Sequence, residues 1–393
     1  MESIRKTFIT LLKNTDLKFE RKIPVNWENR MIAITGARGV GKTTFLLQHI
    51  KKTHENLSQV LYVSLDNLHF YENPLIELVD EFHDYGGRFL YLDEVHKYSR
   101  WSSTLKNIYD NYPEIKVVFT SSSILDIYQG DSDLSRRAIK YAMPGLSFRE
   151  YLSMRHQIEL PSFSLDDILF RQEQLGLNLP KDFLPLSYFK SYLIDGYFPF
   201  GKEPDFLQKL MNVINNVIES DLGKIENLSQ NKIEQVKRVL AVIAESAPFK
   251  PNISSLSNKL KINRDIILTI LFQLERGRIL NLLRAPNSGI SVLQKPNKIY
   301  LENTNLMFAL KNQPELGNIR ETYFYNQLYN AGLKANTSEQ TDFLIEEKYS
   351  FEIGGRNKKK SQLKGLENAF VVKDDINFGA GNIIPLWMFG MMY

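Results

Sequence analysis

The chain has 393 residues, 43% of them hydrophobic and 24% charged, with a formal net charge of +4; it is too long for one ordinary core, so about two to four domains are expected, and a disordered or fibrous chain is excluded. The absence of cysteine excludes disulfides, thiolate catalysis and cysteine-ligated zinc, and all six histidines lie before residue 157, so hydrolysis in the later chain would need carboxylates and Mg²⁺. No run reaches the ~20 apolar residues of a membrane span, and Met1-Glu2-Ser3-Ile4-Arg5-Lys6 lacks the apolar core of a signal peptide, so no membrane contact and a cytoplasmic protein are expected.

In chain order, Met31-Ile32-Ala33-Ile34 reads as a buried strand. It runs into Gly36-Ala37-Arg38-Gly39-Val40-Gly41-Lys42-Thr43, which fits the phosphate-binding pattern G-x-x-x-x-G-K-[ST] at every required position. Thr44-Phe45-Leu46-Leu47 with Ile50 continues as an amphipathic helix whose N-terminus faces the loop, where a phosphate is favoured. Residues 36–44 are therefore the expected nucleotide contacts, with the Lys42 ammonium on the β- and γ-phosphates and the Thr43 hydroxyl on Mg²⁺. A bare glycine-rich turn, the bland alternative, does not call for a strand before it and a helix after it.

Arg88-Phe89-Leu90-Tyr91-Leu92-Asp93-Glu94 is an apolar strand closed by two carboxylates. Asp93 at the strand end suits Mg²⁺, while Glu94, pointing elsewhere, suits a general base for an attacking water. A further strand, Ile115-Lys116-Val117-Val118-Phe119-Thr120, runs into Ser121-Ser122-Ser123. Hydroxyls at the carboxyl end of a parallel strand face the ligand crevice, so Thr120 or Ser122 is expected to sense the γ-phosphate or position water; a serine-rich helix cap is the competing reading for any one serine.

The run Leu90-Tyr91-Leu92-Asp93-Glu94-Val95-His96-Lys97-Tyr98, with Trp101, Leu105-Lys106, Asp133-Leu134-Ser135-Arg136-Arg137 and Pro144-Gly145-Leu146-Ser147-Phe148, resembles the AAA-type ATPases of bacteria and archaea. The resemblance implies an α/β AAA+ core over 1–152 with parallel sheet order 5-1-4-3-2, ATP and Mg²⁺ as cofactors, and Thr120 or Ser122 as sensor 1. It also implies an arginine near the nucleotide after sensor 1. The family has Gly-Arg where this chain has Arg136-Arg137, so Arg137 inherits that role: a finger acting on a neighbour's ATP in an oligomer, or else an ordinary structural arginine.

Residues 153–230 read as helices and resemble the lid that covers the nucleotide in that family. Residues 231–304 form a winged-helix pattern: helices over 233–245, 253–260 and 263–276 with Asn263 as N-cap, then strands at 278–284 and 289–294 joined by a wing at 286–289. Residues 231–300 hold twelve Lys/Arg and four Asp/Glu, 12 − 4 = +8, which points to DNA or another anionic partner. Against groove reading, Ile266, Ile267, Leu268, Ile270, Leu271, Phe272 and Leu274 make the third helix apolar nearly all round, as expected of a helix packed on protein.

Residues 305–393 suggest a C-terminal α/β domain similar to the PD-(D/E)xK nuclease fold, with Glu321 on a helix, Asp342 and Glu352 on strands, and Mg²⁺ as the implied metal. Gly354 stands where that fold has its lysine, and the run Arg356-Asn357-Lys358-Lys359-Lys360 reads more economically as a solvated charge cluster than as its substitute. The expectation is a Mg²⁺-dependent ATPase coupled to an inactive nuclease-like module; a nucleotide-controlled switch for DNA or protein partners, and a nuclease, are the alternatives.

Overall fold

The computed structural model describes residues 1–121, 134–223, 228–284, 295–359, 363 and 365–393. Its chain divides into two compact units, Met1–Gly145 and Leu146–Tyr393.

The first unit is built on five strands: β1 (Met31–Thr35), β2 (Val60–Ser64), β3 (Phe89–Asp93), β4 (Lys116–Ser121) and β5 (Ile139–Ala142). All pairings are parallel, in the order β2-β3-β4-β1-β5, which is the expected 5-1-4-3-2 order viewed from the opposite edge. Parallel strands need helical crossovers that cover the sheet, which is why β1 to β4 are apolar runs and not alternating ones. One such cover is the helix Leu75–Asp84, whose Leu75, Leu78, Val79 and Phe82 recur at helical spacing and pack with Leu105 and Ile108 of the helix Trp101–Asn111. They close over Ala33, Leu61, Val63, Leu90, Leu92, Val117 and Phe119 of the sheet. Neighbouring strands β1, β4 and β3 thus bring Thr35, Ser121 and Asp93 to one carboxyl edge.

The second unit pairs a helical core with a five-stranded mixed sheet in the order Ile383–Pro385, Ala369–Lys373, Tyr349–Gly354, Phe343–Ile345, Ala335–Asn336. Before that sheet, β6 (Leu280–Leu283) and β7 (Lys298–Leu301) form an antiparallel pair. The sheet strands are β8 (Ala335–Asn336), β9 (Phe343–Ile345), β10 (Tyr349–Gly354), β11 (Ala369–Lys373) and β12 (Ile383–Pro385). The segment expected to be a separate lid shares its core with the C-terminal residues. The helix Phe148–His156 starts at a capping box, with the Ser147 hydroxyl accepting from Glu150 N–H and the Glu150 carboxylate accepting from Ser147 N–H. Its Phe148 meets Phe189 and Tyr192, and Phe189 lies 4.8 Å from Tyr323 on the late helix Leu316–Asn330. Ser147 also donates to the carbonyl of Tyr393 at 2.6 Å. Aromatic packing thus ties residues of the expected lid to the C-terminal segment within the second unit.

Within this unit the three expected helices lie at Gln230–Ser246, Ile253–Leu260 and Arg264–Arg276, and Asn263 caps the third by accepting from Asp265 N–H at 2.8 Å. The third helix buries Ile267, Ile270, Leu271, Gln273 and Leu274. The partner of β6 is β7, where the sequence reading expected a strand at 289–294; that stretch and the wing at 286–289 lie outside the described residues. Among the described residues no helix is long and apolar enough to cross a membrane.

Candidate nucleotide site and carboxylate cluster

The phosphate loop leaves β1 at Thr35 and enters the helix Lys42–Thr53. A β-carbon at Gly36 would lie 2.2 Å from the carbonyl oxygen of Met143, so only glycine lets the loop pass beneath that strand end. Gly39 and Gly41 take positive φ, 87° and 95°, turning the loop into the helix N-terminus. Lys42 is buried, and its ammonium donates to the carbonyls of Gly36 at 3.0 Å and Ala37 at 2.9 Å. Val40 is fully buried, Arg38 is half-buried and Thr44 is exposed on the first helical turn. Arg21, which the motif search missed, braces the loop by donating to the carbonyls of Val40, Pro144 and Gly145.

Asp93 is the hub of the site. Its carboxylate accepts from the Thr43 hydroxyl at 2.6 Å, from the Tyr62 phenol at 2.8 Å and from the Thr120 hydroxyl. Burial, followed by the Asp93 charge, pushes the Tyr62 phenol far above its ordinary pKa, so it acts as a neutral donor. Thr120 in turn accepts from the backbone N–H of Glu94 at 3.0 Å. The adjoining Thr43 hydroxyl and Asp93 carboxylate are hard oxygen donors of the kind Mg²⁺ takes, so the donor set fits the metal.

Glu94 adopts a left-handed conformation, φ 53°, which turns its side chain off the line of β3. Its Oε2 lies 3.4 Å from Nε2 of His96, a side chain only 2% exposed, and His96 Nδ1 lies 3.4 Å from the Ser121 hydroxyl. Neither His96 nor Ser121 was singled out from sequence. Ser122 lies outside the described residues.

Arg137 is placed elsewhere. It donates to both carboxylate oxygens of Asp110 at 3.0 Å and lies over the Tyr109 ring, which also receives the Arg30 guanidinium at 3.7 Å. Arg30 immediately precedes β1, so this cluster marks the amino edge of the sheet, opposite the phosphate loop. Within this chain Arg137 is held by Asp110 of the helix Trp101–Asn111, the setting of a structural arginine; its action on a neighbour's nucleotide is a matter of the assembly.

In the second unit the three carboxylates expected of a nuclease fold, Glu321, Asp342 and Glu352, are each engaged. Asp342 accepts from Ile353 N–H at 2.8 Å, and Glu321 accepts from Lys298 and, at 3.1 Å, from Tyr300. Burial raises the pKa of Glu321, Lys298 opposes the rise and Asp342 adds to it. Lys358 does not remain a surface charge as expected: its ammonium lies 2.5 Å from Glu352, and its stem occupies the space where a β-carbon at residue 354 would stand. The glycine at the lysine position thus makes room for a lysine from four residues on. Among the described residues no group of three acidic or histidine side chains is arranged to hold a metal ion.

The +8 of residues 231–300 is partly offset by acids outside the segment. Lys237 pairs with Glu219 and Lys298 with Glu321; Arg284 pairs with Glu275 within it, and Lys259, Lys261 and Arg264 stay exposed around the turn between the second and third helices.

Residues 28–152 match the family described as an AAA domain. The uncharacterized protein MJ1637 of Methanocaldococcus jannaschii is 28% identical over 295 residues, covering 70% of this chain and 61% of that protein, so the match spans under two thirds of the relative. Among solved structures, PCH-2 of C. elegans is 18% identical with a TM-score of 0.31, over 54% of this chain and 64% of that one. AMPPCP-bound DnaA from Aquifex aeolicus is 17% identical with a TM-score of 0.28, over 70% and 87%. At these scores the two likenesses carry no further argument. The family match and the loop geometry agree: residues 28–152 are similar to an AAA domain, and the loop after β1 has the form of a phosphate-binding P-loop.

Proposed function

We propose that the chain hydrolyses ATP with Mg²⁺ and couples its nucleotide state to an anionic partner held by the second unit. The observation that carries the reading is the Asp93 carboxylate, set 2.6 Å from the Thr43 hydroxyl and tied to Thr120 at the edge where the phosphate loop opens. Lys42 and the N-terminus of its helix hold the phosphates, and Thr43 and Asp93 hold the metal, which supplies charge neutralisation when bound. Glu94 takes the proton of the attacking water; the water oxygen bonds to the γ-phosphorus, and the bond to the β–γ bridging oxygen breaks to leave ADP. The decisive experiment is steady-state turnover with nucleotide binding: Lys42→Ala should lose both, and Glu94→Gln should keep ATP bound while turnover falls at least about 100-fold. Unchanged hydrolysis in both variants sinks the reading.

A nucleotide-controlled switch with little turnover is the second reading, favoured by Lys259, Lys261 and Arg264 standing exposed together. Backbone contact with a nucleic acid predicts affinity that falls with salt and with charge reversal at these three positions, by roughly one unit of salt slope per lost contact. Affinity that is equal with ATP, with ADP and without nucleotide counts against coupling.

A further inference from the structure

Two consecutive residues at the end of β4 govern the two consecutive carboxylates at the end of β3. Thr120 bonds Asp93 directly and accepts the Glu94 N–H. Ser121, also buried, reaches the Glu94 carboxylate through one imidazole, with Ser121 Oγ to His96 Nδ1 and His96 Nε2 to Glu94 Oε2 both at 3.4 Å. We propose that His96 is a positioning residue for Glu94, anchored by Ser121, so that the sensor strand sets the direction of the general base as well as that of the metal ligand.

The polarity of the chain follows from the donors available. A carboxylate only accepts, so Nε2 of His96 carries the proton and donates to Glu94. Nδ1 on the other side of the ring meets the Ser121 hydroxyl, which can act as either donor or acceptor. The left-handed turn at Glu94 directs its carboxylate off the strand, and the 2%-exposed ring leaves it little freedom to swing. A base held in one orientation keeps a productive geometry for the attacking water that a free carboxylate visits only part of the time. Neither His96 nor Ser121 need touch the nucleotide for this effect.

The inference rests on the ATPase reading, and its test keeps the two separable. In the full chain, ATP turnover and binding of a fluorescent ATP analogue are measured for His96→Leu, His96→Gln and Ser121→Ala, each alone and with Glu94→Gln. His96→Leu should lower kcat about 10- to 100-fold with KM and analogue affinity within about twofold, because the loss lies in the reaction step and not in binding. His96→Gln, whose amide can donate from the same place, should recover to within about fivefold. In the Glu94→Gln background the His96 substitutions should add nothing, the signature of a residue acting through another. Unchanged kcat in His96→Leu overturns the proposal, as does a rise in kcat, which would mean that His96 withholds Glu94, or a parallel loss of affinity and kcat. If His96→Leu does not fold, Ser121→Ala decides: about a 3- to 10-fold loss of kcat at constant KM supports the proposal, and full activity refutes it. A wild-type chain without hydrolysis refutes the ATPase reading itself.

Discussion

Replacing Thr120 with valine removes one hydroxyl and leaves two groups without their partner: Asp93 loses a donor and the Glu94 N–H loses its 3.0 Å acceptor. Thr120 is fully buried and Asp93 is 2% exposed, so water does not replace the bond to Asp93, while the Glu94 N–H is part-buried and loses less. A hydrogen bond to a charged group is worth about 1.5–3 kcal/mol and a neutral one about 0.5–1.5, so the loss for the first unit is about 2–4 kcal/mol, slightly offset by the added methyl. Thr120→Ser keeps the hydroxyl and should lose under about 1.5 kcal/mol, the cost of one methyl. Denaturation followed by fluorescence suits the measurement, since Trp27 and Trp101 lie in the first unit and Trp387 alone in the second; replacing Trp387 with Phe isolates the relevant transition. ATP turnover should fall with Thr120→Val and largely survive in Thr120→Ser. Equal stability of the two variants, within about 0.5 kcal/mol, would refute the claim that the Thr120 hydroxyl holds the two carboxylate residues together.

The second unit offers a test of its repositioned lysine. Lys358→Met leaves the Glu352 carboxylate, 5% exposed, without its cation and should cost roughly 2–4 kcal/mol, whereas the double variant with Glu352→Gln should recover most of it; a double mutant as unstable as Lys358→Met would show that no such pair operates. The first unit should also weaken in mild acid through His49, whose ring stacks on Trp27 and whose pKa burial, then His54 and Lys52, lower from 6.5 to about 4. The unfolded chain takes up that proton first as pH falls, so the contribution is complete above pH 6.5 and is lost progressively down to about pH 4. Allowing for its partial exposure, the loss is about 1–2 kcal/mol. Denaturation midpoints at pH 7.5 and 5 should differ less in His49→Phe than in the wild type, and equal slopes would exclude His49 as the source.

The phosphate loop, the strand before Asp93 and the strand that ends at Thr120 and Ser121 were legible in the sequence because their determinants are local. Glycine freedom, a helix N-terminus and an apolar run closed by carboxylates are all written within a few consecutive residues. What surrounds Asp93 and Glu94 was not legible. Tyr62 lies 31 residues before Asp93 and Ser121 lies 25 after His96, and only the placement of β3 between β2 and β4 brings them together. The same reason applies to the second unit, where a sequence-level charge of +8 becomes partly paired and a run of lysines sends one member back to Glu352. The sequence by itself determined the phosphate loop with its flanking strand and helix, the strands ending at Asp93 and Ser121, and the three helices between residues 230 and 276. The tertiary structure alone decided which side chains hold the carboxylates, that Arg137 belongs to Asp110, and that one aromatic core joins the expected lid to the C-terminal segment, since contacts between distant residues are set by which elements pack side by side.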